Sequence, residues 1–255
     1  MKKISVLLAD DHTIVREGFR KMLELENDIE ICEEAQDGRQ AVVLAKKFHP
    51  DVVLMDIAMP LLNGLEAARQ LLKERPLIKV LMLSAHNDDA YVQKAIDSGA
   101  VGFLLKQTSA HEVCHAIREV HAGRNFFTAS ITKRQDNLHP QTPDRSGTLK
   151  KKNIVLTSRE MEVLQLIAEG KANKQTAAEL GIGIKTVEKH REHLMDKLDI
   201  HDIAGLTRYA ISAGIIESSV QVTIVNTNAE IASAAFPRAG APRRLGSRTK
   251  KLLPP

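Results

Sequence analysis

Five polar side chains in the first half of this 255-residue chain stand at the ends of short apolar segments: Asp10, Asp11, Asp56, Ser84 and Lys106. Three carboxylates brought together repel one another and need a cation, and oxygen ligands without histidine or cysteine favour Mg²⁺. The Asp56 carboxylate can then attack a phosphoryl group and form an aspartyl phosphate. Mg²⁺ and Lys106 would stabilise the charge on the phosphoryl oxygens, and Ser84 would hydrogen-bond to the product.

The segments that carry these groups belong to a repeating pattern of strand and helix. Apolar strands are predicted at 4–9, 29–35, 51–55, 78–83 and 101–105, and a segment with helical periodicity follows each of them. Strands that are apolar on both faces and alternate with helices predict an α/β fold, a doubly wound five-stranded parallel sheet. Ligands of such sheets bind beyond the carboxyl ends of the strands. The predicted fold therefore brings the five side chains to one edge.

A single aspartate at the end of a strand also has a plainer interpretation, because aspartate commonly caps helices and forms turns. Asp11, for example, is equally suited to capping the helix that is predicted to follow it. The presence of five suitable groups at the ends of four strands favours the phosphoryl-transfer site over a set of unrelated turn residues.

The same residues resemble a known family. The motifs that carry the resemblance are Ala9-Asp10-Asp11-His12, residues 54–60 with Asn63-Gly64, Leu83-Ser84-Ala85 and residues 102–106. In order and spacing they resemble the receiver domains of two-component response regulators, over about residues 3–122. The resemblance implies a flavodoxin-like fold. Gln107 departs from the pattern, since many receivers have proline there, and this leaves the geometry of the peptide after Lys106 open.

The resemblance implies a role for each matching residue. Asp56 is expected to be the phosphoacceptor, Asp10 and Asp11 the metal-binding acids, the backbone carbonyl of Ala58 a further Mg²⁺ ligand, Lys106 the invariant lysine, and Ser84 and Phe103 the switch pair. Phosphorylation is expected to draw Ser84 toward the phosphoryl group, so that Phe103 rotates inward and changes the surface around the fifth strand. An ordinary core position for Phe103 remains the alternative.

The second half of the chain has a different composition. Residues 124–154 are rich in Gln, Asn, Pro, Asp, Ser and Gly, as is typical of a linker. Helical periodicity returns over 155–216, and 217–255 are predicted to form a disordered basic tail. The predicted organisation is therefore a first domain at 1–123, the linker, a helical domain at 155–216 and the tail.

Capping and turn residues within 155–216 predict a helix-turn-helix. Thr157 and Glu160 can form a capping box that opens a helix, and Gly181 can make the turn between a second and a third helix. On the third helix one face is apolar and is predicted to pack in the core: Val187, Leu194 and Leu198. The opposite face is polar, and it is either the surface that enters the DNA major groove or merely a solvated face.

Residues 156–160, 167–174 and 185–190 resemble the LuxR-type four-helix DNA-binding domain, and 209–216 are similar to its fourth, dimerisation helix. A receiver joined to this domain makes the NarL/FixJ class of response regulators. The residues expected to contact DNA lie on the polar face of the third helix: Lys185, Thr186, Glu188, Lys189, Glu192 and His193. Of these, Lys189 is expected to reach guanine and Glu188 or Glu192 to accept from cytosine, whereas the other three are better placed for phosphates.

The two resemblances together imply a response regulator and transcription factor, and not an enzyme. Its partners would be a sensor histidine kinase as phosphodonor, double-stranded promoter DNA and, on activation, a second copy of the chain. One alternative is an aspartate-nucleophile phosphatase of the dehalogenase class, although that class carries its nucleophile on the first strand. A second alternative is a degenerate receiver, in which the acids are vestigial and the regulator ignores phosphate.

Charge and composition bear on these roles. Residues 1–123 carry 15 basic and 19 acidic residues, and 155–216 carry 8 and 9. Because neutralisation of phosphates drives nonspecific DNA affinity, dimerisation and the basic linker and tail are expected to supply much of the binding. No apolar stretch approaches the roughly 20 residues of a membrane span. With two isolated cysteines, these features predict a cytoplasmic protein that does not bind membranes.

Overall fold

The computed structural model describes residues 2–86, 89–127 and 156–216 of the chain. The predicted tail, and all but the first four residues of the predicted linker, lie outside the described residues. The described residues form an N-terminal α/β region, up to residue 127, and a C-terminal helical region, from residue 156. Both regions belong to one compact unit of the chain.

Parallel strands form one sheet in the N-terminal region. They are β1 (Ile4–Ala9), β2 (Ile29–Ala35), β3 (Val52–Asp56), β4 (Lys79–Ser84), β5 (Gly102–Leu105) and β6 (Phe126–Phe127), in the order β2-β1-β3-β4-β5-β6. The order of the first five strands is that of a flavodoxin-like doubly wound sheet. The polar ends of β1, β3, β4 and β5 therefore meet at one edge, as the sequence predicts.

The prediction of five strands is wrong, because the sheet has a sixth. β6 pairs in parallel with β5, with Gly102 opposite Phe126 and Phe103 opposite Phe127. Two residues are too few to show a period of alternating polarity, so this strand could not be recognised in what reads as the start of a linker. Gly102 makes the pairing possible, since a Cβ atom at this position would lie 2.5 Å from the carbonyl oxygen of Phe126.

Helices cover both faces of the sheet. They are α1 (Thr13–Glu24), α2 (Gly38–Phe48), α3 (Gly64–Glu74), α4 (Asp89–Asp97) and α5 (Ala110–His121). Side chains of Asp37, Asn63 and Ser109 accept hydrogen bonds from backbone amides in the first turns of α2, α3 and α5 and so fix where these helices begin. Two apolar clusters, one on each face of the sheet, form the core.

The helical region consists of α6 (Ser158–Ala168), α7 (Asn173–Leu180), α8 (Ile184–Leu198) and α9 (Ile203–Ser212). The predicted capping box at the start of α6 is confirmed, since Thr157 and Glu160 exchange both hydrogen bonds. Gly181 ends α7 in the left-handed conformation, with φ of 63°, which a residue with a side chain rarely adopts. The sharp turn that follows sets α8 against α7.

Membrane-spanning helices and the two cysteines are the features for which composition makes a prediction. Within 2–86, 89–127 and 156–216, no helix is both long enough and apolar enough to cross a bilayer. Cys32 is half-buried and Cys114 is buried, and both are free thiols, as their isolation in the sequence predicts.

Candidate functional site

The phosphoacceptor candidate and the lysine predicted to serve it are in direct contact. Asp56 ends β3 with 1% of its surface exposed, and its Oδ2 accepts a hydrogen bond of 2.8 Å from Nζ of Lys106, just beyond the end of β5. The same Nζ lies 3.0 Å from Oδ2 of Asp10, at the end of β1. Ser84 ends the intervening strand, β4, with its side chain buried. The sheet thus brings side chains from four strand ends to one rim.

The two consecutive acids after β1 differ in burial. Asp10 is fully buried, and its Oδ1 accepts a hydrogen bond of 2.8 Å from the backbone amide of His12. Asp11 has a partly exposed side chain, and its Oδ1 lies 2.8 Å from Nδ1 of His12. The capping alternative for Asp11 is wrong, because His12 is the residue at the start of α1 and no side chain caps that helix.

The donor set at this rim fits a divalent cation. One ligand atom each from Asp10, Asp11, His12 and Asp56 lie within 4.8 Å of one another. Oδ2 of Asp10 and Oδ1 of Asp11 are buried, and they lie 3.0 Å from Nζ of Lys106 and 2.8 Å from Nδ1 of His12, which leaves further lone pairs on each carboxylate. Buried carboxylate oxygens with unused lone pairs are ligands that Mg²⁺ accepts. His12 is not among the residues predicted for this site, although its position directly after the two acids is a signal for it.

Burial dominates the electrostatics of Asp56. Desolvation by burial raises the pKa of its carboxyl group from 3.8 to about 7. Attraction by Lys106 lowers this pKa, but repulsion from Asp10 and Asp11 offsets that attraction. Burial alone would lower the pKa of the Lys106 ammonium, but Asp56 and Asp10 outweigh it and raise that pKa. The rim therefore holds more negative charge than one lysine neutralises, which is the condition for attracting a cation.

Arg16, which is not part of the predicted site, holds the backbone at the end of β1 in place. It is 6% exposed, its Nη1 donates a hydrogen bond of 2.7 Å to the backbone carbonyl of Asp10, and its Nε donates one of 3.0 Å to Glu34. The signal in the sequence is that Arg16 shares a helix face with Phe19 and Leu23, which are buried. A basic residue on a buried face needs buried partners.

The predicted switch residues lie near each other in the sheet without revealing a switch. Phe103, on β5, is fully buried and packs in the apolar cluster on one face of the sheet. It pairs with Met82 of β4, two residues before Ser84. Oγ of Ser84 accepts a hydrogen bond of 3.0 Å from the amide of His86. The inward position of Phe103 fits both interpretations, so its role in switching stays a prediction.

A loop that follows Asp56 contacts the helical region. We call residues 57–63, between β3 and α3, the β3–α3 loop. Gln165 of α6 is 1% exposed, and its Nε2 donates a hydrogen bond of 2.9 Å to the carbonyl of Met59. Its Oε1 accepts from the backbone amide of Asn63 at 2.8 Å and from Nδ2 of the same residue at 3.1 Å. Sequence patterns gave no indication of this contact, since a glutamine on a helix face has no preferred partner.

The middle of the same loop is also held by α6. Leu61 has a φ of 64°, a left-handed conformation that is uncommon for a residue with a side chain, and it packs against the apolar cluster of the helical region. Its amide donates a hydrogen bond of 3.1 Å to Oε1 of Glu169, and burial raises the pKa of that carboxyl group. Leu61 is thus held in this conformation by the residue that ends α6 and by the apolar cluster of the helical region.

Further contacts between the two regions are mostly ionic or polar. Arg39 of α2 lies 3.9 Å from the carboxylate of Glu162 and donates a hydrogen bond to the carbonyl of Glu179. Nε2 of Gln70 donates one of 2.7 Å to Oε1 of Glu162. Nζ of Lys94 donates one of 2.6 Å to the carbonyl of Ala213, just after α9. In these contacts the N-terminal region contributes the N–H donors, two of them cationic, and the helical region contributes the carboxylate and carbonyl acceptors.

The polar face of α8 is open to solvent. All six residues predicted to contact DNA are exposed: Lys185, Thr186, Glu188, Lys189, Glu192 and His193. The three residues predicted to pack in the core of the helical region are buried: Val187, Leu194 and Leu198. The contacts of α6 with the β3–α3 loop therefore leave the candidate DNA-reading face free.

Comparisons with known proteins agree on both regions. The family model of the response regulator receiver domain matches residues 6–118, and that of the bacterial regulatory proteins, luxR family, matches residues 154–210. The transcriptional regulatory protein DegU of Brevibacillus brevis is 36% identical over 211 residues, which cover 78% of this chain and 89% of DegU. The response regulator protein VraR of Staphylococcus saprophyticus is 36% identical over 214 residues, covering 84% of this chain and 99% of VraR.

Solved structures give the same assignment. The two-component response regulator RcsB in complex with DNA is similar to this chain with a TM-score of 0.51 and 25% identity, over 83% of this chain and 99% of RcsB. A two-component response regulator of the LuxR family from Aurantimonas sp. SI85-9A1 matches with a TM-score of 0.51 and 31% identity, over 53% of this chain and 97% of its own.

Proposed function

Because the chain belongs to the response regulators that carry a LuxR-type DNA-binding domain, we propose that Asp56 accepts a phosphoryl group from a sensor histidine kinase. The observation that carries this proposal is the pairing of buried Asp56 with Lys106, beside the carboxylates of two further acids, Asp10 and Asp11. One Asp56 oxygen attacks phosphorus, and the bond from phosphorus to the donor nitrogen breaks. Its electron pair leaves with the histidine.

The residues of this chain divide the work at the rim. The carboxylates of Asp10, Asp11 and Asp56 and the backbone carbonyl of Ala58 would hold Mg²⁺. When bound, the ion neutralises charge that develops on the phosphoryl oxygens. Lys106, already within 2.8 Å of Asp56, orients that carboxylate and shares in the neutralisation. Ser84 would form a hydrogen bond with the phosphoryl group, and this movement would let the side chain of Phe103 change position.

The output of the proposed reaction is DNA binding through α8. Phosphorylation would promote a homodimer, and two copies of the helix-turn-helix would then read promoter DNA with the exposed residues of α8. The exposure of Lys189 and of the five other residues predicted to contact DNA supports this assignment. We assign residues 1–123 to the receiver, 155–216 to the DNA-binding domain and 124–154 to the linker. A cytoplasmic location follows for a regulator that acts on DNA.

The test is treatment of the full chain with acetyl phosphate and Mg²⁺, followed by intact mass and by the oligomeric state. A stable adduct of one phosphate, lost in Asp56→Asn and retained in Asp97→Asn, is expected. Asp97 is the control because it is an exposed carboxylate on α4, away from the strand ends. An adduct that persists in Asp56→Asn would overturn the assignment.

The same experiment separates the two alternatives. Rapid, repeated release of inorganic phosphate without a stable adduct would favour the aspartate-nucleophile phosphatase. The position of Asp56 on β3, rather than on β1, supports the acceptor. A chain that takes up no phosphate at all would be the degenerate receiver, although Asp56 and Lys106 keep the contact that a working site needs.

A further inference from the structure

We propose that the rim of the sheet binds a first-row divalent transition-metal ion, with Nδ1 of His12 as a ligand beside the carboxylates of the three acids. The inference rests on the proposed function, which assigns a divalent cation to this rim. It goes further because a nitrogen ligand changes the class of ion that the site prefers. Imidazole suits Zn²⁺ and the neighbouring first-row ions, whereas Mg²⁺ favours oxygen ligands.

The distances around His12 are those between neighbouring ligands of one ion. Nδ1 of His12 lies 2.8 Å from Oδ1 of Asp11 and 3.4 Å from Oδ1 of Asp10. Adjacent ligand atoms, each about 2.1 Å from the same ion, are about 3.0 Å apart in an octahedron and about 3.4 Å apart in a tetrahedron. With Asp56, all four ligand atoms lie within 4.8 Å of one another. Small side-chain movements are therefore enough for all four to bind one ion.

The backbone holds His12 beside the acids. Its amide donates a hydrogen bond of 2.8 Å to Oδ1 of Asp10, and its carbonyl accepts one of 2.9 Å from the amide of Arg16 in α1. His12 has an extended conformation, with φ of −81° and ψ of 104°, and its side chain does not cap the helix that follows. The imidazole is thus placed at the rim by hydrogen bonds of the backbone, and helix capping does not occupy it.

An ion can reach the acids from the side of His12. The side chains of Asp10 and Asp56 are almost completely buried, whereas those of His12 and Asp11 are 59% and 31% exposed. Nζ of Lys106 contacts the two buried acids, and the ring of His12 contacts the more exposed one. A hydrated ion therefore meets the imidazole and the carboxylate of Asp11 first, and both can replace water molecules of its shell.

The nitrogen ligand should act on some ions and not on others. The carboxylates attract every divalent cation through charge, so they favour Mg²⁺ and Zn²⁺ alike. A neutral imidazole binds Zn²⁺ well, whereas Mg²⁺ keeps water molecules in preference to nitrogen. Removal of the His12 imidazole should therefore weaken the binding of Zn²⁺ and leave that of Mg²⁺ nearly unchanged. A residue that served only the fold would alter the affinity for both ions in parallel.

The experiment compares four full-length chains: wild type, His12→Asn, His49→Asn and Asp10→Asn. Binding of Mn²⁺ is followed by the electron paramagnetic resonance signal of the free ion. Mg²⁺ and Zn²⁺ are measured by their displacement of bound Mn²⁺, so that Zn²⁺ on other histidines of the chain does not count. His49 is the matched control, because it is exposed and lies just before the amino end of β3, and because its φ of 53° is one that asparagine adopts.

The variants are expected to differ by ion. His12→Asn should weaken the binding of Zn²⁺ at least about tenfold. It should change the binding of Mg²⁺ by less than about twofold. His49→Asn should match wild type for every ion, and Asp10→Asn should lose the Mn²⁺ site.

A spectroscopic signature identifies the ligand directly. Pulsed electron paramagnetic resonance of bound Mn²⁺ should show coupling to an imidazole nitrogen in wild type and in His49→Asn. The coupling should be absent in His12→Asn. A wild type without nitrogen coupling would overturn the inference, and so would coupling that persists in His12→Asn, because the nitrogen would then belong to another residue.

The affinities also separate this inference from the proposed function. A parallel loss of Zn²⁺ and Mg²⁺ affinity in His12→Asn overturns the inference, because the residue would then only support the acids. If nitrogen coupling is absent while the chain still forms its one-phosphate adduct with Mg²⁺, the proposed function stands without the inference. Binding of Mn²⁺ that is unchanged in Asp10→Asn overturns the assignment of the ion to the rim, and the inference fails with it.

Discussion

The rim of the sheet and the polar face of α8, the two surfaces to which we assign function, are built in opposite ways. At the rim, Asp56, Asp10 and Lys106 are withdrawn from water and held by contacts within the chain. On α8, side chains such as Lys189 and Glu188 are exposed. The rim is organised within the chain, whereas the α8 face, if it binds DNA as proposed, would obtain most of its partners from the duplex. Substitutions at the rim should therefore alter stability, and those on α8 should alter only binding.

The largest expected effect is that of Arg16→Met on stability. It leaves the carbonyl of Asp10 and the carboxylate of Glu34 without a buried partner, so the free energy of unfolding should fall by about 2–3 kcal/mol. Arg20→Met is the matched control, because Arg20 also lies 3.0 Å from Glu34 but is 44% exposed. This control should cost less than about 1 kcal/mol in urea denaturation. Equal losses in both variants would contradict the preorganised rim.

Lys189→Ala, in contrast to Arg16→Met, should weaken DNA binding and leave stability almost unchanged. Its affinity for the tightest duplex selected from a random pool should fall about tenfold, or about 1–2 kcal/mol, while the free energy of unfolding changes by less than about 0.5 kcal/mol. The control, Lys73→Ala, removes the same charge from an exposed position on α3. Equal weakening by both variants would show that net charge, and not the α8 face, governs binding.

Asp56→Asn should stabilise the chain at high pH. The pKa of Asp56 is raised to about 7 when folded, so the native state binds its proton more tightly, and stability is lost as pH rises from about 4 to 7. Asparagine removes this loss, and in EDTA at pH 8 the gain should be about 1–2 kcal/mol, shrinking toward pH 4.5.

Asp51→Asn is the control with the opposite sign. Although burial alone would raise the pKa of Asp51, hydrogen bonds from the amide and hydroxyl of Ser5 outweigh it and lower that pKa. Its stabilising contribution is present above the unfolded pKa and is lost as pH falls. Asp51→Asn should therefore destabilise the chain at pH 8. If Asp56→Asn destabilises it equally, the rim is not a strained site.

The smallest effect is expected from deletion of residues 219–255. Between 217 and 255 the chain has six basic and two acidic residues, so the deletion should lower affinity for a random duplex about threefold. The slope of log affinity against log salt concentration should become shallower by about 1–3. Unchanged affinity and an unchanged slope would refute a role of the tail in DNA binding.

The parts of the molecule that the sequence predicts are those set by local patterns. Asp56, Lys106 and Ser84 could be placed at one rim because strand ends follow from runs of apolar residues, and Val187 could be placed in the core from helical spacing. Each of these inferences needs only the period of an element and the geometry of a parallel sheet.

The parts that could not be predicted depend on contacts between elements distant in sequence. Gln165 meets Asn63 across 102 positions, and no period or motif encodes that pairing. Arg16 is an intermediate case, since its helical position indicates burial but not its partner. β6 was missed because its two residues are shorter than any detectable pattern.

The loop between Asp56 and Gly64 has a consequence for building chimeras. It fits the receiver on one side and Gln165 on the other, so its sequence is matched to both regions of the chain. A junction placed between residues 128 and 155, in front of a foreign output domain, would exchange α6 while keeping the loop. Such a hybrid keeps the β3–α3 loop but loses the contact of that loop with Gln165. A chimera should therefore retain α6 together with the receiver.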